Sequence, residues 1–156
     1  MDKCTCGRYI VDPIGLKTAK LLIVGDRPDY EDLQKNMPFL SKRGDVLREE
    51  LGMVGLDIRS CRLTFLWRHD IVKDCKPHMS DVLREMVDRP FVLLMGAETL
   101  KAFNIEHSDL KTGLQVTSVF IPETTIAYVV TNPPQNSAVG EFRLALKKLK
   151  RRMYEA

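Results

Sequence analysis

Short apolar runs recur along the chain at positions that predict strands. Residues 20–25, 61–67 and 91–96 are three such runs, and the first and third finish on a glycine. Runs of this length without polar alternation are typical of strands buried on both faces of a parallel sheet. Residues 116–120 and 126–131 predict two further strands, which Pro122 separates.

Helical spacing of apolar residues fills the segments between these runs. Within residues 45–51, Val46, Leu47 and Leu51 share one face, and charged residues occupy the other. Ser80 is a predicted N-cap for a helix through residue 87, and further helices are predicted after Gly96, through residue 103, and over residues 139–153. Strands that alternate with helices predict an α/β fold, a three-layer αβα sandwich with a central, mainly parallel four-stranded sheet.

Length and composition indicate one globular domain over residues 1–156. A chain that is 44% hydrophobic and 29% charged is neither disordered nor fibrous. Its apolar runs are far shorter than the roughly 18 residues of a membrane span, and its first residues lack the apolar segment of a secretion signal. We therefore expect a cytoplasmic protein with no membrane partner. The net charge of 24 − 21 = +3 is too small to identify a nucleic-acid partner by itself.

The residues that follow each strand are the first candidates for a site, because ligands of parallel sheets bind at the carboxyl ends of the strands. Gly25 and Pro28 flank Asp26 after the first run and hold its carboxylate on a rigid turn. Phe39 then supplies an aromatic face about a dozen residues later. The sequence therefore predicts a place where a planar ring stacks beside a negative charge.

These two segments are the first of a series of short motifs along the chain. In chain order the motifs are Gly25-Asp26-Arg27-Pro28-Asp29, the segment from Pro38-Phe39 through Gly44 to Leu47, Gly55-Leu56, Leu63-Thr64-Phe65, Leu94-Met95-Gly96-Ala97 and Val129-Val130-Thr131-Asn132-Pro133-Pro134. In this order the motifs resemble the uracil-DNA glycosylase superfamily, most closely its family-four type and phage relatives. The resemblance covers nearly the whole chain and implies a setting in a bacterium or a phage-infected cell.

The resemblance implies a role for each residue at the strand ends. Asp26 would assist attack of water on the sugar, Phe39 would stack on a base flipped out of DNA, and Asn132 would hydrogen-bond that base. The implied base-binding residues also include Gly25, Arg27, Pro28 and Phe65. The implied DNA contacts are Lys42 and Arg43 beside the flipped base, and a minor-groove loop of Pro133, Pro134, Gln135 and Asn136. The expected partner is DNA, bound by a monomer.

Several positions that carry out the chemistry in the family have different residues in this chain. The asparagine that reads the pyrimidine edge is replaced by Phe65, which has no hydrogen-bonding group, and the histidine of the last loop is replaced by Asn132. These changes fit an altered base specificity or a lost activity better than efficient excision of uracil. From the resemblance as a whole we expect a DNA glycosylase that hydrolyses the N-glycosidic bond of uracil or a modified pyrimidine. The alternative is an inactive DNA-binding or replication-accessory protein that keeps the fold, and a third interpretation is an interaction protein with a vestigial pocket. Purely structural roles for Asp26, as a turn residue, and for Phe39, as core packing, also stay open.

Three of the four cysteines are candidate metal ligands. Family-four enzymes hold an iron–sulfur cluster, and the resemblance places Cys4, Cys6, His69 and Cys75 at its ligand positions. Three thiolates and an imidazole could hold zinc or, less usually, a cluster, and free thiols without metal are the remaining alternative. Cys61 is interpreted as a buried apolar residue. The two other histidines, His78 and His107, are expected at the surface.

Overall fold

The computed structural model describes residues 2–106, 113, 115–134 and 139–155. Over these residues, six strands form one sheet: β1 (Ile14–Gly15), β2 (Leu21–Gly25), β3 (Arg62–Phe65), β4 (Phe91–Met95), β5 (Gln115–Val116) and β6 (Ile126–Val130). The helices are α1 (Tyr30–Lys35), α2 (Lys42–Met53), α3 (Met79–Met86), α4 (Ala97–Ala102) and α5 (Gly140–Tyr154), with a 3-10 turn at Ile58–Ser60. Among them is no helix with the length and apolar character needed to cross a membrane.

The sheet is wider than the sequence predicts. Its strand order is β1-β3-β2-β4-β6-β5, so the predicted four-stranded sheet is corrected to six strands. The inner strands β3, β2, β4 and β6 are mutually parallel, and the two-residue strands β1 and β5 pair antiparallel at the edges. Gly25 pairs with Phe65, and Val24 pairs with Leu94. The carboxyl ends of the parallel strands therefore meet along one edge of the sheet.

The continuous apolar runs are explained by two cores, one on each face of the sheet. Leu21, Ile23 and Leu93 pack in one cluster with residues of α2 and α5. Leu22 and Val24 pack in the other cluster with residues of α3 and α4. Because successive side chains of a strand point to opposite faces, every position of β2 must be apolar. The predicted α/β class is therefore confirmed, with helices packed against both faces of a mainly parallel sheet.

Several element boundaries differ from the prediction. The run at residues 116–120 forms a strand only at Gln115–Val116, and α2 begins at Lys42, three residues before the predicted start. The short helix α1 was not predicted. Its N-terminus is fixed by a reciprocal pair, Asp29 and Asp32, in which the Asp32 carboxylate accepts the backbone N–H of Asp29 at 2.9 Å. Such a cap stabilises a helix too short to show a periodic apolar face.

Candidate functional site

A cavity of about 270 Å³ lies at the carboxyl edge of the sheet. This volume is close to the lower end of the range for ligand pockets, roughly 300–1,000 Å³. The lining residues come from the ends of the parallel strands and from the segments that follow them: Gly25, Asp26, Arg27, Asp29, Asp32, Phe39, Arg43, Phe65, Ile71, Glu98, Asn132 and Pro133. The structure therefore brings Asp26, Phe39, Phe65 and Asn132 to one cavity.

The Asp26 carboxylate is held by three hydrogen bonds. Its Oδ1 accepts the backbone N–H of Thr99 at 2.9 Å and the Thr99 hydroxyl at 2.7 Å, and its Oδ2 accepts the side-chain N–H of Asn132 at 2.9 Å. The side chain is 9% exposed. Since a carboxylate offers about four acceptor positions, the described residues leave one position on Oδ2 open. Asp26 is thus fixed in orientation and can still accept one more hydrogen bond.

Glycine at position 96 makes this arrangement possible. Gly96 has a φ of +95°, a conformation that favours glycine, and a Cβ at this position would overlap the Asp26 carboxylate. It directly precedes α4, so the carboxylate reaches the first turn of that helix and bonds to Thr99. The role of Thr99 was missed from the sequence, although the strand-then-glycine motif marks the segment that contains it.

The aromatic wall of the cavity consists of Phe39 and Phe65. Their ring centroids are 4.8 Å apart, and the ring planes are inclined by 43°. A Cβ at Gly25 would approach both rings to 3.0 Å, so any larger residue there would require the rings to shift by a few tenths of an ångström. Phe39 is 5% exposed, which means that its ring belongs to the core as well as to the cavity wall.

The backbone of Phe39 explains the spacing of its motif. Phe39 has a φ of +61°, which is uncommon for a bulky residue and costs conformational energy. A Cβ at Gly44, in the first turn of α2, would overlap the Phe39 carbonyl oxygen. The loop can therefore fold back over α2 only when position 44 is glycine.

Two acidic residues tie this loop to α1. Asp32 accepts the backbone N–H of Leu40 at 2.6 Å, and the Ser41 hydroxyl donates to Asp29 at 2.6 Å. Asp32 is 2% exposed, and burial raises the pKa of its carboxyl. Neither residue was singled out as a support of the site, although the Asp-x-x-Asp spacing before the motif is a usable signal.

The cationic residues near the cavity differ in their surroundings. The Nε of Arg43 is buried and has no hydrogen-bond partner within the described ranges. Arg27 is exposed, lines the cavity and forms an ion pair of 3.7 Å with Asp70. Lys42 is exposed and does not line the cavity.

The other predicted contacts also divide into residues that line the cavity and residues that do not. Pro133 lines the cavity, whereas Pro28, which is buried, and Pro134 do not. Gln135 and Asn136 lie outside the described residues. The structure thus brings most, but not all, of the expected base-binding and DNA-binding residues to one place.

A second cluster joins the N-terminus to the segment between β3 and α3. The ligand atoms of Cys4, Cys6, His69 and Cys75 all lie within 4.8 Å of one another. The two sulfurs of Cys4 and Cys75 are 3.5 Å apart, and the Cys6 sulfur is 3.4 Å from Nε2 of His69. All four predicted ligands are therefore together, and they could hold a metal ion such as zinc or that of an iron–sulfur cluster.

The surroundings of the cysteines separate them into two kinds. The backbone N–H of Cys6, aided by the ring of His78, lowers the pKa of the Cys4 thiol to about 5. Cys61 lies in the core, as predicted, and burial raises the pKa of its thiol to about 11. The Cys75 thiol resembles that of Cys61 in this respect, because burial, followed by the contact with Cys4, raises its pKa to about 11. Thiolate character, which metal binding requires, is therefore found at Cys4.

His78, which the sequence places at the surface, is half-buried and contacts the cysteine–histidine cluster. Its Nε2 lies 3.3 Å from the Cys4 sulfur, and its ring meets that of His69 edge-on at 4.8 Å. The Cys-x-x-His spacing of Cys75 and His78 is the signal that could have placed it here. His107 lies outside the described residues.

Comparison with known proteins adds no relative to this picture. No protein-family model matches the chain, and no curated protein matches it significantly.

Proposed function

We propose that this protein is a monofunctional DNA glycosylase, related to the uracil-DNA glycosylase superfamily, that hydrolyses the N-glycosidic bond of a pyrimidine in DNA. The observation that carries the proposal is that Asp26 and Phe39 line one cavity together with Asn132. A carboxylate, an aromatic ring and an amide at one edge of the sheet are the groups needed to hold a flipped base beside a reacting sugar.

Asp26 is the proposed catalytic residue. The C1′–N bond breaks with its electron pair passing to the base, water adds its oxygen to C1′, and the proton that the water loses neutralises the departing base anion. The open acceptor position on Oδ2 of Asp26 orients this water, and its negative charge stabilises the cationic sugar. The bonds from Thr99 and Asn132 keep the carboxylate in place, so that little reorganisation is needed during the reaction.

The base is read by Asn132 and Arg43 in this proposal. Asn132 uses one amide hydrogen on Asp26, and among the described residues no bond occupies its second hydrogen or its oxygen, which would serve a base. The buried Nε–H of Arg43 supplies a donor, and a base carbonyl would satisfy it. Phe65 contributes ring surface only. A pyrimidine with a carbonyl group, either uracil or a modified base, fits these groups.

Contacts with the DNA backbone come from the rim of the cavity. Lys42 is exposed beside the motif that carries Phe39, and Pro133 belongs to the cavity wall. The protein would act as a monomer in the cytoplasm, and its affinity for DNA would fall with salt as phosphate contacts release counterions.

An inactive DNA-binding or replication-accessory protein is the second candidate. It is favoured by the hydrogen bonding of Asp26, since the protein itself uses three of its about four acceptor positions. The apolar Phe65 at a position where the family reads the base favours it too. In this alternative the cavity holds a nucleotide without cleaving it.

The experiment measures release of free base from single-stranded and duplex oligonucleotides that contain uracil or modified pyrimidines. Asp26→Asn is compared with Glu98→Gln, a matched change of another carboxyl that lines the same cavity. Release by the parent and by Glu98→Gln, but not by Asp26→Asn, supports the glycosylase. DNA binding without release from any substrate favours the accessory protein, and absence of DNA binding refutes both.

A further inference from the structure

The cysteine–histidine cluster has a donor set that differs from that of an iron–sulfur protein. The resemblance to family-four glycosylases implies a cluster held by four cysteines, but here one donor is His69 and the first two cysteines are one residue apart. We propose that Cys4, Cys6, His69 and Cys75 bind a single zinc ion. This proposal does not depend on the glycosylase activity.

The distances fit one ion. Zinc bonds of about 2.3 Å to sulfur and about 2.0–2.1 Å to nitrogen give tetrahedral edges of roughly 3.8 Å between two sulfurs and roughly 3.6 Å between sulfur and nitrogen. The Cys4–Cys75 sulfurs are 3.5 Å apart, and the Cys6 sulfur and His69 Nε2 are 3.4 Å apart. Two opposite edges of the tetrahedron are thus nearly formed.

An iron–sulfur cluster requires a wider arrangement. Each protein ligand of such a cluster binds outward from an iron, so ligands on different irons are separated by the metal–sulfide core between them. The four ligand atoms here lie within 4.8 Å of one another. They would have to move apart to admit a cluster, whereas a single ion needs only small adjustments.

The ring of His69 is oriented as a metal ligand. Its Nδ1 lies 2.7 Å from the carbonyl oxygen of Asp70, and since a carbonyl can only accept, Nδ1 carries the hydrogen. In a neutral imidazole the lone pair is then on Nε2, which faces the Cys6 sulfur. His69 is 2% exposed, so the orientation is fixed by its surroundings. A ligating histidine with its other nitrogen bonded to a backbone carbonyl is a frequent arrangement at zinc.

The ring of His78 is oriented in the opposite way. Its Nδ1 accepts the backbone N–H of Arg68 at 3.1 Å, so in the neutral ring Nε2 carries the hydrogen and donates to the Cys4 sulfur at 3.3 Å. His78 is therefore a positioning residue and not a ligand. Its N–H partly neutralises a site in which three thiolates exceed the charge of one divalent ion.

The ion would have a structural role that reaches the cavity. It would connect the N-terminus to the segment that follows β3, which also contains Asp70 and Ile71. Ile71 lines the cavity, and Asp70 pairs with Arg27. A closed set of four protein ligands is typical of structural zinc.

The test is the metal content of the full chain, produced with both zinc and iron supplied and purified without oxygen. We expect one zinc per chain by elemental mass spectrometry and no visible absorption. Iron with visible absorption would overturn the proposal, and so would a folded protein without metal.

Variants locate the site. Cys75→Ser and His69→Ala should lose the zinc, whereas Cys61→Ala, a change of the buried cysteine outside the cluster, should keep it. Loss of zinc from Cys61→Ala alone would overturn the assignment. Because a ligand variant can fail to fold, cobalt substitution of the parent protein gives a second measurement, in which the absorption of tetrahedral cobalt bound to thiolates is expected and octahedral cobalt contradicts the proposal.

His78 has its own prediction. His78→Ala should retain one zinc but bind it about 10–100-fold more weakly, as is usual for loss of a residue that supports a ligand. His78→Gln, which can donate an amide N–H to Cys4, should recover part of this affinity in a competition with a chelator. Complete loss of zinc from both variants would make His78 a ligand instead.

Discussion

The strand-end cavity and the cysteine–histidine cluster differ in how their polar groups are satisfied. In the cavity, donors meet acceptors, since Thr99 and Asn132 donate to Asp26. In the cluster, atoms with lone pairs converge, because the sulfur of Cys6 faces the unprotonated nitrogen of His69. The cavity is therefore ordered by the chain itself, whereas the proposed zinc ion would complete the cluster by joining its donors. The comparison predicts that removal of a metal would disturb the cluster more than the cavity. It also predicts that single substitutions are sufficient to change the function or stability of the cavity.

The largest effect is expected from Asp26→Asn. Loss of the carboxylate should reduce base release by about 100–10,000-fold, the range for removing a positioned acid or base. The measurement is single-turnover release on the best substrate found. Binding of the same oligonucleotide should change far less, and an equal loss of binding and release would show that Asp26 only maintains the cavity.

The next largest effect is expected from removal of the ion. A bound ion present at 1,000 times its dissociation constant stabilises the native state by about 4 kcal/mol. Chelation should therefore lower the urea midpoint of the parent protein strongly and leave that of Cys75→Ser unchanged. The opposite pattern, with no effect on the parent, would contradict a structural ion.

Two glycines on α2 provide a matched pair for the cavity. Gly44→Ala should destabilise the protein by about 2–4 kcal/mol, because the new methyl group overlaps the Phe39 carbonyl and the loop must move. Gly52→Ala should stabilise it by up to about 1 kcal/mol, since no described atom lies within 4 Å of a Cβ there. Urea unfolding of the two variants checks this, and similar midpoints would mean that the Phe39 loop adapts freely.

The smallest effect is expected from Arg43. Arg43→Met removes a buried donor that has no partner among the described residues, so the stability of the free protein should change little. Binding of a carbonyl-bearing base should weaken by about 10-fold, the equivalent of one hydrogen bond to a charged group. Lys42→Met, at the exposed neighbour, is the control for charge. If the two variants weaken binding equally at low salt and neither does so at high salt, Arg43 contacts phosphate and not the base.

Local sequence patterns were sufficient to predict the inner sheet and the candidate residues. A strand buried on both faces must be apolar at every position, which makes β2 and β4 recognisable without any partner. The motif of Phe39 is also local, since Gly44 is required by its contact with the Phe39 carbonyl, whereas Gly25 meets the rings of Phe39 and Phe65, which come from other segments. The four cluster residues were found through the resemblance, and the structure brings them together.

The tertiary structure decided which distant groups meet. The edge strand β1 has two residues and no periodic pattern, so only its pairing with β3 defines it, and pairing with β6 limits β5 to two residues although the sequence predicts a strand over 116–120. Thr99 and Asp26 are 73 residues apart, and His78 and Cys4 are 74 apart. Periodicity records which face of an element is buried, but it contains no information about which side chain from another element arrives there. Which side chain arrives depends on how the helices connect the parallel strands. The hydrogen bonds of the Asp26 carboxylate and the position of His78 beside Cys4 are therefore visible only in the folded chain.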